Sequence, residues 1–219
     1  MSDSVVIAID GPAASGKGTL ARRLAAHFDY AHLDTGTLYR AIGVMLIRDG
    51  HTADDTNAAI NIAHTLTPAH LDDPDVVARL RDEESGRVAA KIAVVPELRE
   101  AVLALQRHIA AHPPEGRRGA VLDGRDIGTV VCPDAAHKFF VTARLETRAE
   151  RRFLELGGGD PALTFEAVRD RLAARDAQDE SRAVAPLRAA DDAHLLDTSD
   201  LSIDEAFQAA LTYILDDGR

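Results

Sequence analysis

Residues 5–19 read VVIAIDGPAASGKGT, and the fold turns on how this stretch is punctuated. The run from Val5 to Ile9 is short and β-branched, as a strand buried in a parallel sheet would be. After Thr19 the sequence LARRLAAHF returns apolar residues at helical spacing. The glycines therefore stand between a strand and a helix, and G-x-x-x-x-G-K in that setting is a phosphate-binding loop. Gly11, Gly16 and Gly18 let backbone N–H groups converge on an anion where a Cβ would intrude. Pro12, Ala13, Ala14 and Ser15 complete the loop. The helix opening near Lys17 adds its positive dipole end, and Lys17 reaches the β- and γ-phosphates. A turn made only for strand-to-helix packing needs neither the lysine nor the full spacing. The hydroxyl that ordinarily follows the lysine and meets magnesium comes one place late: Gly18 follows Lys17, and Thr19 is the candidate hydroxyl.

With 219 residues, 46% of them hydrophobic, the chain allows one generous domain or a core carrying one inserted subdomain. The single cysteine, Cys132, excludes an intrachain disulfide, suits a reducing compartment, and reads as a small buried apolar residue. The opening MSDSVVIAIDG lacks a basic region ahead of its short apolar run, and no stretch approaches roughly 18 uninterrupted apolar residues, so a cytoplasmic protein without a membrane partner is expected. A net charge of −11 argues against a nucleic-acid partner, since a polyanionic backbone needs a broad positive face. Positive charge is local instead. Only Lys17, Lys91 and Lys138 are lysines, and arginines cluster at 144–152 and 169–182. Small arginine clusters suit phosphates on small molecules, because the guanidinium fork matches phosphate oxygens two at a time.

Strand-like runs recur at Val5–Asp10, Ala31–Asp34, Ala120–Asp123, Lys138–Thr142 and His194–Asp197, with helix-length amphipathic stretches between them. Ser202 and Glu205 form a capping box for the last helix. Alternation of this kind predicts an α/β fold with a five-stranded parallel sheet wrapped on both faces and ligands at the carboxyl ends of its strands. The segment from about 43 to 118 is long, mostly helical in pattern and locally acidic, and reads as an inserted substrate-side subdomain.

Three constellations join the loop. In LDTGTLYR (33–40), Asp34 and Thr35 can cap a helix whose first turns carry Tyr39 and Arg40. In VLDGRDIGTVVCPDA (121–135), a strand ends in Asp123, where a phosphate-loop protein places the carboxylate that holds magnesium, and a tight turn presents Arg125 and Asp126. In RDRLAARDAQDESR (169–182), Arg171, Arg175, Asp179 and Arg182 fall on one helical face, and the AVAPL that follows steers the chain back to the core. A salt-bridged solvent face would explain the third in isolation.

The G-K-G-T ending looks more like nucleoside monophosphate kinases than GTPases or motor ATPases. GPAASGKGT, LDTGTLYR, LDGRDIGTVVCPDA and RDAQDESRAVAPL, in this order and spacing, resemble the bacterial cytidylate kinases along nearly the whole chain. The resemblance implies a three-layer P-loop kinase fold with an NMP-binding insert and a mobile lid at about 148–168. It implies phosphorylation of CMP, with dCMP as second acceptor, by ATP with Mg2+, in a monomer. By position, Gly11 to Thr19 would grip ATP, and Asp123 would assist magnesium. Arg40, Arg125 and Arg182 would hold the CMP phosphate. Thr35, Arg99 and Asp126 would read cytosine, while Arg175 and Asp179 would meet the ribose. Arg148, Arg151 and Arg152 would face the ATP side, with Gly157, Gly158 and Gly159 suited to lid motion. Two departures stand out: Ala90 replaces a serine expected at the ribose, and the insert is shorter than in longer members by roughly a β-hairpin.

Phosphoryl transfer brings two polyanions in line, so Lys17, magnesium and arginines neutralise and position, and a closing lid excludes water. A UMP, dephospho-coenzyme A or shikimate kinase would keep residues 5–19 but has no evident use for Arg125, Asp126, Arg175 and Asp179 together. A GTP switch needs an Asn-Lys-x-Asp reader, and neither Asn57 nor Asn61 precedes a lysine. A silent nucleotide sensor is the remaining alternative.

Overall fold

The structure, a computed structural model, describes residues 4–157 and 163–217. Five strands form one parallel sheet in the order β2-β3-β1-β4-β5: β1 (Val5–Asp10), β2 (Ala31–Asp34), β3 (Gly119–Gly124), β4 (His137–Thr142) and β5 (His194–Asp197). The strand-like runs of the sequence coincide with these strands to within a residue at either end. β1 pairs in parallel with β3 and β4, with Ile9 opposite Asp123 on one side and Phe139 on the other. The chain thus leaves β1 towards β2 and β3, then crosses to β4 and β5. The carboxyl end of β1 is the point where the winding reverses, and such sheets bind ligands there.

Two compact units make up the chain: Met1–Leu33 with Pro113–Arg219, and Asp34–His112. The first contains the sheet with α1 (Lys17–Phe28), later joined by three further helices. Its core packs Ile7, Ile9, Val121, Phe139 and Val141 from the strands against Leu20 and Leu24 of α1 and Phe207, Ala210 and Ile214 near the C-terminus. β1 and β3 are apolar up to Asp10 and Asp123 because they are enclosed strands of the sheet, so the helical periodicity of the flanking segments is what separates strand from helix in the sequence.

After Asp34, the regular structure of the second unit is helical: α2 (Thr35–Arg48), α3 (Thr56–Thr65), α4 (Pro68–Leu71), α5 (Pro74–Arg79), α6 (Glu83–Ile92) and α7 (Pro96–Ala111). Asp34 caps α2 by accepting the Gly36 N–H at 2.9 Å. α2 packs on α6, with Gly43 close against Val88 and the Ser85 carbonyl.

Back in the first unit, α8 (Leu145–Glu155) and α9 (Phe165–Glu180) pack together and bury Ala149, Val168 and Leu172 with Ala13 of the phosphate loop. The segment expected as a lid covers the end of α8 and the start of α9, and Gly158 and Gly159 lie outside the described residues. α10 (Ile203–Asp217) begins at the predicted capping box: Glu205 N–H donates to Ser202 Oγ at 3.2 Å, and Glu205 Oε2 accepts from Ser202 N–H at 2.9 Å. Cys132 is half-buried rather than enclosed, because it follows the irregular turn after β3 instead of sitting in a strand.

Candidate functional site

The loop between β1 and α1 is built by steric exclusion. A Cβ on Gly11 would stand 2.0 Å from the Val141 carbonyl oxygen, so only glycine lets the loop pass β4. Ala14 (φ 60°) and Gly16 (φ 89°) both take left-handed backbone, and at Ala14 that conformation is strained. Lys17 Nζ donates to the Pro12 carbonyl at 3.3 Å, folding the lysine back over the loop. Ser15 is fully buried, and its Oγ has no partner among the described residues. A cradle of minimal side chains, a folded-back lysine, a helix N-terminus and an orphaned hydroxyl fit a polyphosphate.

Asp10, at the end of β1, reaches across to the segment after β3. Its two carboxyl oxygens accept the Ile127 and Gly128 N–H groups, each at 2.8 Å. Burial pushes its carboxyl up to about 7, against the lowering by those two donors. The contact anchors a wide turn, Ile127–Val131, directly after Arg125 and the buried Asp126.

Asp123 at the end of β3 is 3% exposed. Its Oδ1 lies 2.8 Å from His32 Nε2, and its Oδ2 lies 3.5 Å from where a Gly18 Cβ would stand. A buried carboxylate facing the residue directly after Lys17 is a donor set suited to a hard divalent cation beside phosphates. Thr19 Oγ1 accepts from Arg22 Nη2 at 3.4 Å and lines a neighbouring cavity.

The arginine-rich face of α9 divides in the structure. Val168, Leu172, Asp176 and Asp179 form its buried stripe, while Arg171 and Arg175 lie on the exposed side. Asp179 accepts Arg125 Nε on Oδ2 at 2.7 Å and Arg182 Nη2 on Oδ1. One carboxylate thus orders both arginines, and Arg182 Nε is buried with no partner among the described residues. The AVAPL segment does return to the core: Leu187 N–H donates to the Asp179 carbonyl at 2.9 Å, with Ala185 and Leu187 buried.

The three arginines of α8 have different surroundings. Arg148 is 7% exposed and donates to the Ala143 carbonyl, to the Ala13 carbonyl in the loop and to Asp176 Oδ2 at 2.6 Å. Arg151 donates to Thr198 Oγ1 at 3.0 Å and to its carbonyl at 2.6 Å. Arg152 pairs with Glu155 at 2.8 Å near the surface.

Beside the loop lies a cavity of about 410 Å³, lined by Ala14, Leu20, Leu201, Ile203 and Ala206 with Arg151 and Thr198. Leu201, Ile203 and Ala206 of this lining lie outside the sequence motifs. The capping box at Ser202 puts the start of α10 just past the carboxyl end of β5, and that placement was the available signal.

In the second unit, Thr35 is buried at the start of α2, and Tyr39 and Arg40 follow on the same helix, half-buried. Arg40 Nη1 donates to the Leu80 carbonyl at 2.9 Å, and its guanidinium lies close against Gly86, where a Cβ would come within 2.9 Å of Nη2. Arg99 donates to the Ala93 carbonyl at 3.2 Å.

Residues 7–216 match the family model described as cytidylate kinase. The cytidylate kinase of Rhodospirillum rubrum is 52% identical over 208 residues, spanning 94% of this chain and 95% of that protein. That of Methylocella silvestris is 51% identical over 210 residues, 96% of this chain and 94% of the other. Among solved structures, a shikimate kinase from Bacteroides thetaiotaomicron aligns with a TM-score of 0.50 at 14% identity over 97% of this chain and 98% of its own, a likeness of fold.

Proposed function

The chain belongs to the cytidylate kinase family, and from that membership we propose that it transfers the terminal phosphoryl group of ATP to CMP, with dCMP as a second acceptor. The observation that carries the reading is the Arg125–Asp179–Arg182 arrangement in the same unit as the phosphate loop. Two cations ordered by one buried carboxylate, with the Arg182 Nε still a buried orphan donor, form a receptor for a second phosphate.

In the reaction a phosphate oxygen of CMP attacks the γ-phosphorus, the bond to the bridging oxygen breaks, and ADP and CDP result. That oxygen already bears charge, so no side chain must take a proton, and catalysis consists of positioning and neutralisation. The backbone of Gly11–Thr19 and Lys17 hold the donor phosphates. Asp123 and Thr19 would hold Mg2+, which when bound supplies further neutralisation of those phosphates. Arg125, Arg182 and Arg40 bind the acceptor phosphate. Thr35, Arg99 and Asp126 read the cytosine, Tyr39 supports that part of the site, and Arg175 and Asp179 meet the sugar. The apolar cavity beside the loop takes the adenine of ATP against Arg151. Arg148 supports the loop through Ala13, and Arg152 is the more exposed arginine that the lid segment carries towards the ATP side. A monomer in the cytoplasm completes the reading.

The test is turnover against a panel of nucleoside monophosphates, with Asp126→Asn beside wild type. A carboxylate only accepts hydrogen bonds, so it suits the cytosine amino group and opposes the uracil carbonyl. Preference for CMP and dCMP over UMP, narrowed by the substitution, is the expected result. Preference for another acceptor would remove the assignment, and absence of turnover with every monophosphate would make the chain a sensor.

A further inference from the structure

His32 is absent from every motif read in the sequence, yet it touches the carboxylate facing Lys17's neighbour. It lies on β2, the edge strand beside β3, with its side chain 21% exposed, while that of Asp123 is 4% exposed. Nε2 stands 2.8 Å from Asp123 Oδ1. A carboxylate oxygen only accepts, so Nε2 is the donor in this hydrogen bond. The other oxygen, Oδ2, faces the first turn of α1 at Gly18.

This division matters because a carboxylate on a single bond can rotate. With Oδ1 held by an N–H, rotation about Cβ–Cγ is restrained and the direction of Oδ2 is set. Outer partners of this kind orient the groups that meet a metal, and their loss commonly costs about 10- to 100-fold in metal affinity or activity. Gly18 raises the stakes: it brings no hydroxyl at the position directly after the lysine, where phosphate loops ordinarily carry one for the cation. More of the cation's hold therefore falls on the aim of Asp123.

We infer that His32 is a positioning residue for Asp123, and that through it His32 sets how much magnesium strengthens ATP binding. The inference rests on the reading of this chain as an ATP-dependent kinase with Asp123 on the magnesium side.

The test is calorimetric titration of ATP into wild type, His32→Leu, His32→Asn and His32→Gln, each with Mg2+ and with EDTA, alongside thermal melting. Gln carries its amide nitrogen at the same number of bonds from Cα as Nε2 and can still donate to Oδ1; Asn is polar but one carbon short. The gain in affinity from Mg2+ is expected to fall about tenfold in the Leu and Asn variants, by the same outer-partner effect. Affinity in EDTA should stay within about twofold, and Gln should restore most of the gain. The inference is overturned if Leu and Asn keep the full magnesium gain, if affinity in EDTA drops by the same factor, or if folded Gln behaves like Leu. Should Leu fail to fold, the Asn–Gln contrast decides alone. A wild type that binds no ATP under either condition would instead remove the kinase reading itself.

Discussion

Arg125 and Asp179 meet through a 2.7 Å hydrogen bond from Nε to Oδ2, with the carboxylate 2% exposed and its other oxygen taken by Arg182. Asp179→Ala should therefore release both arginines. A charge-assisted bond contributes about 1.5–3 kcal/mol, so the KM for dCMP is expected to rise about tenfold or more, and that for CMP further still through the lost sugar contact. Steady-state kinetics with both acceptors checks this. An unchanged KM for dCMP would mean the carboxylate does not order the arginines for the phosphate.

Gly86 and Arg40 give a prediction in which affinity and stability move oppositely. A Cβ at Gly86 would press on Nη2 at 2.9 Å, Nη1 at 3.0 Å and Cζ at 3.2 Å, displacing the guanidinium from the α6 backbone. Alanine is nevertheless the better helix former by roughly 0.5–1 kcal/mol. Gly86→Ala should raise the melting temperature slightly or leave it, while weakening CMP binding by about a bond's worth, severalfold. Melting curves and CMP calorimetry on the same preparation decide.

Lys17→Ala should lower kcat by orders of magnitude while CMP affinity stays within about threefold, because the lysine acts on donor phosphates whose charge matters most in the transition state. In the structure Lys17 folds over its own loop to the Pro12 carbonyl. A CMP affinity that collapses in this variant would place the lysine in the acceptor site.

Asp10 predicts a pH dependence. Its folded-state value of about 7 lies above the usual 3.8, so the folded state binds the extra proton between those limits. Its contribution to stability is fully present below about pH 4 and is lost as pH rises through 7. Asp10→Asn does not titrate. The stability difference between wild type and variant should therefore shift in favour of wild type by about 2–3 kcal/mol from pH 8 to pH 5. Denaturant unfolding at the two pH values measures it, and a constant difference would mean that Asp10 titrates normally. Asp192, Asp197, Asp200 and Glu205 work in the opposite sense: their hydrogen-bonded partners lower them, so their contribution is lost as pH falls.

What the sequence determined by itself was everything set within a few residues. Strands β1 to β5, the phosphate loop, the cap at Asp34 and the capping box at Ser202 were legible because apolar period, glycine spacing and cap chemistry act over one turn or one strand. The tertiary structure decided which partner each charged side chain takes. Nothing local says that Asp179 will hold an arginine 54 positions away, that His32 will hold Asp123 across 91, or that Arg148 will reach the Ala13 carbonyl across 135. Those pairings exist because parallel strands bring their carboxyl ends together regardless of the chain between them, and because a buried charge must find a partner once packing has removed its water.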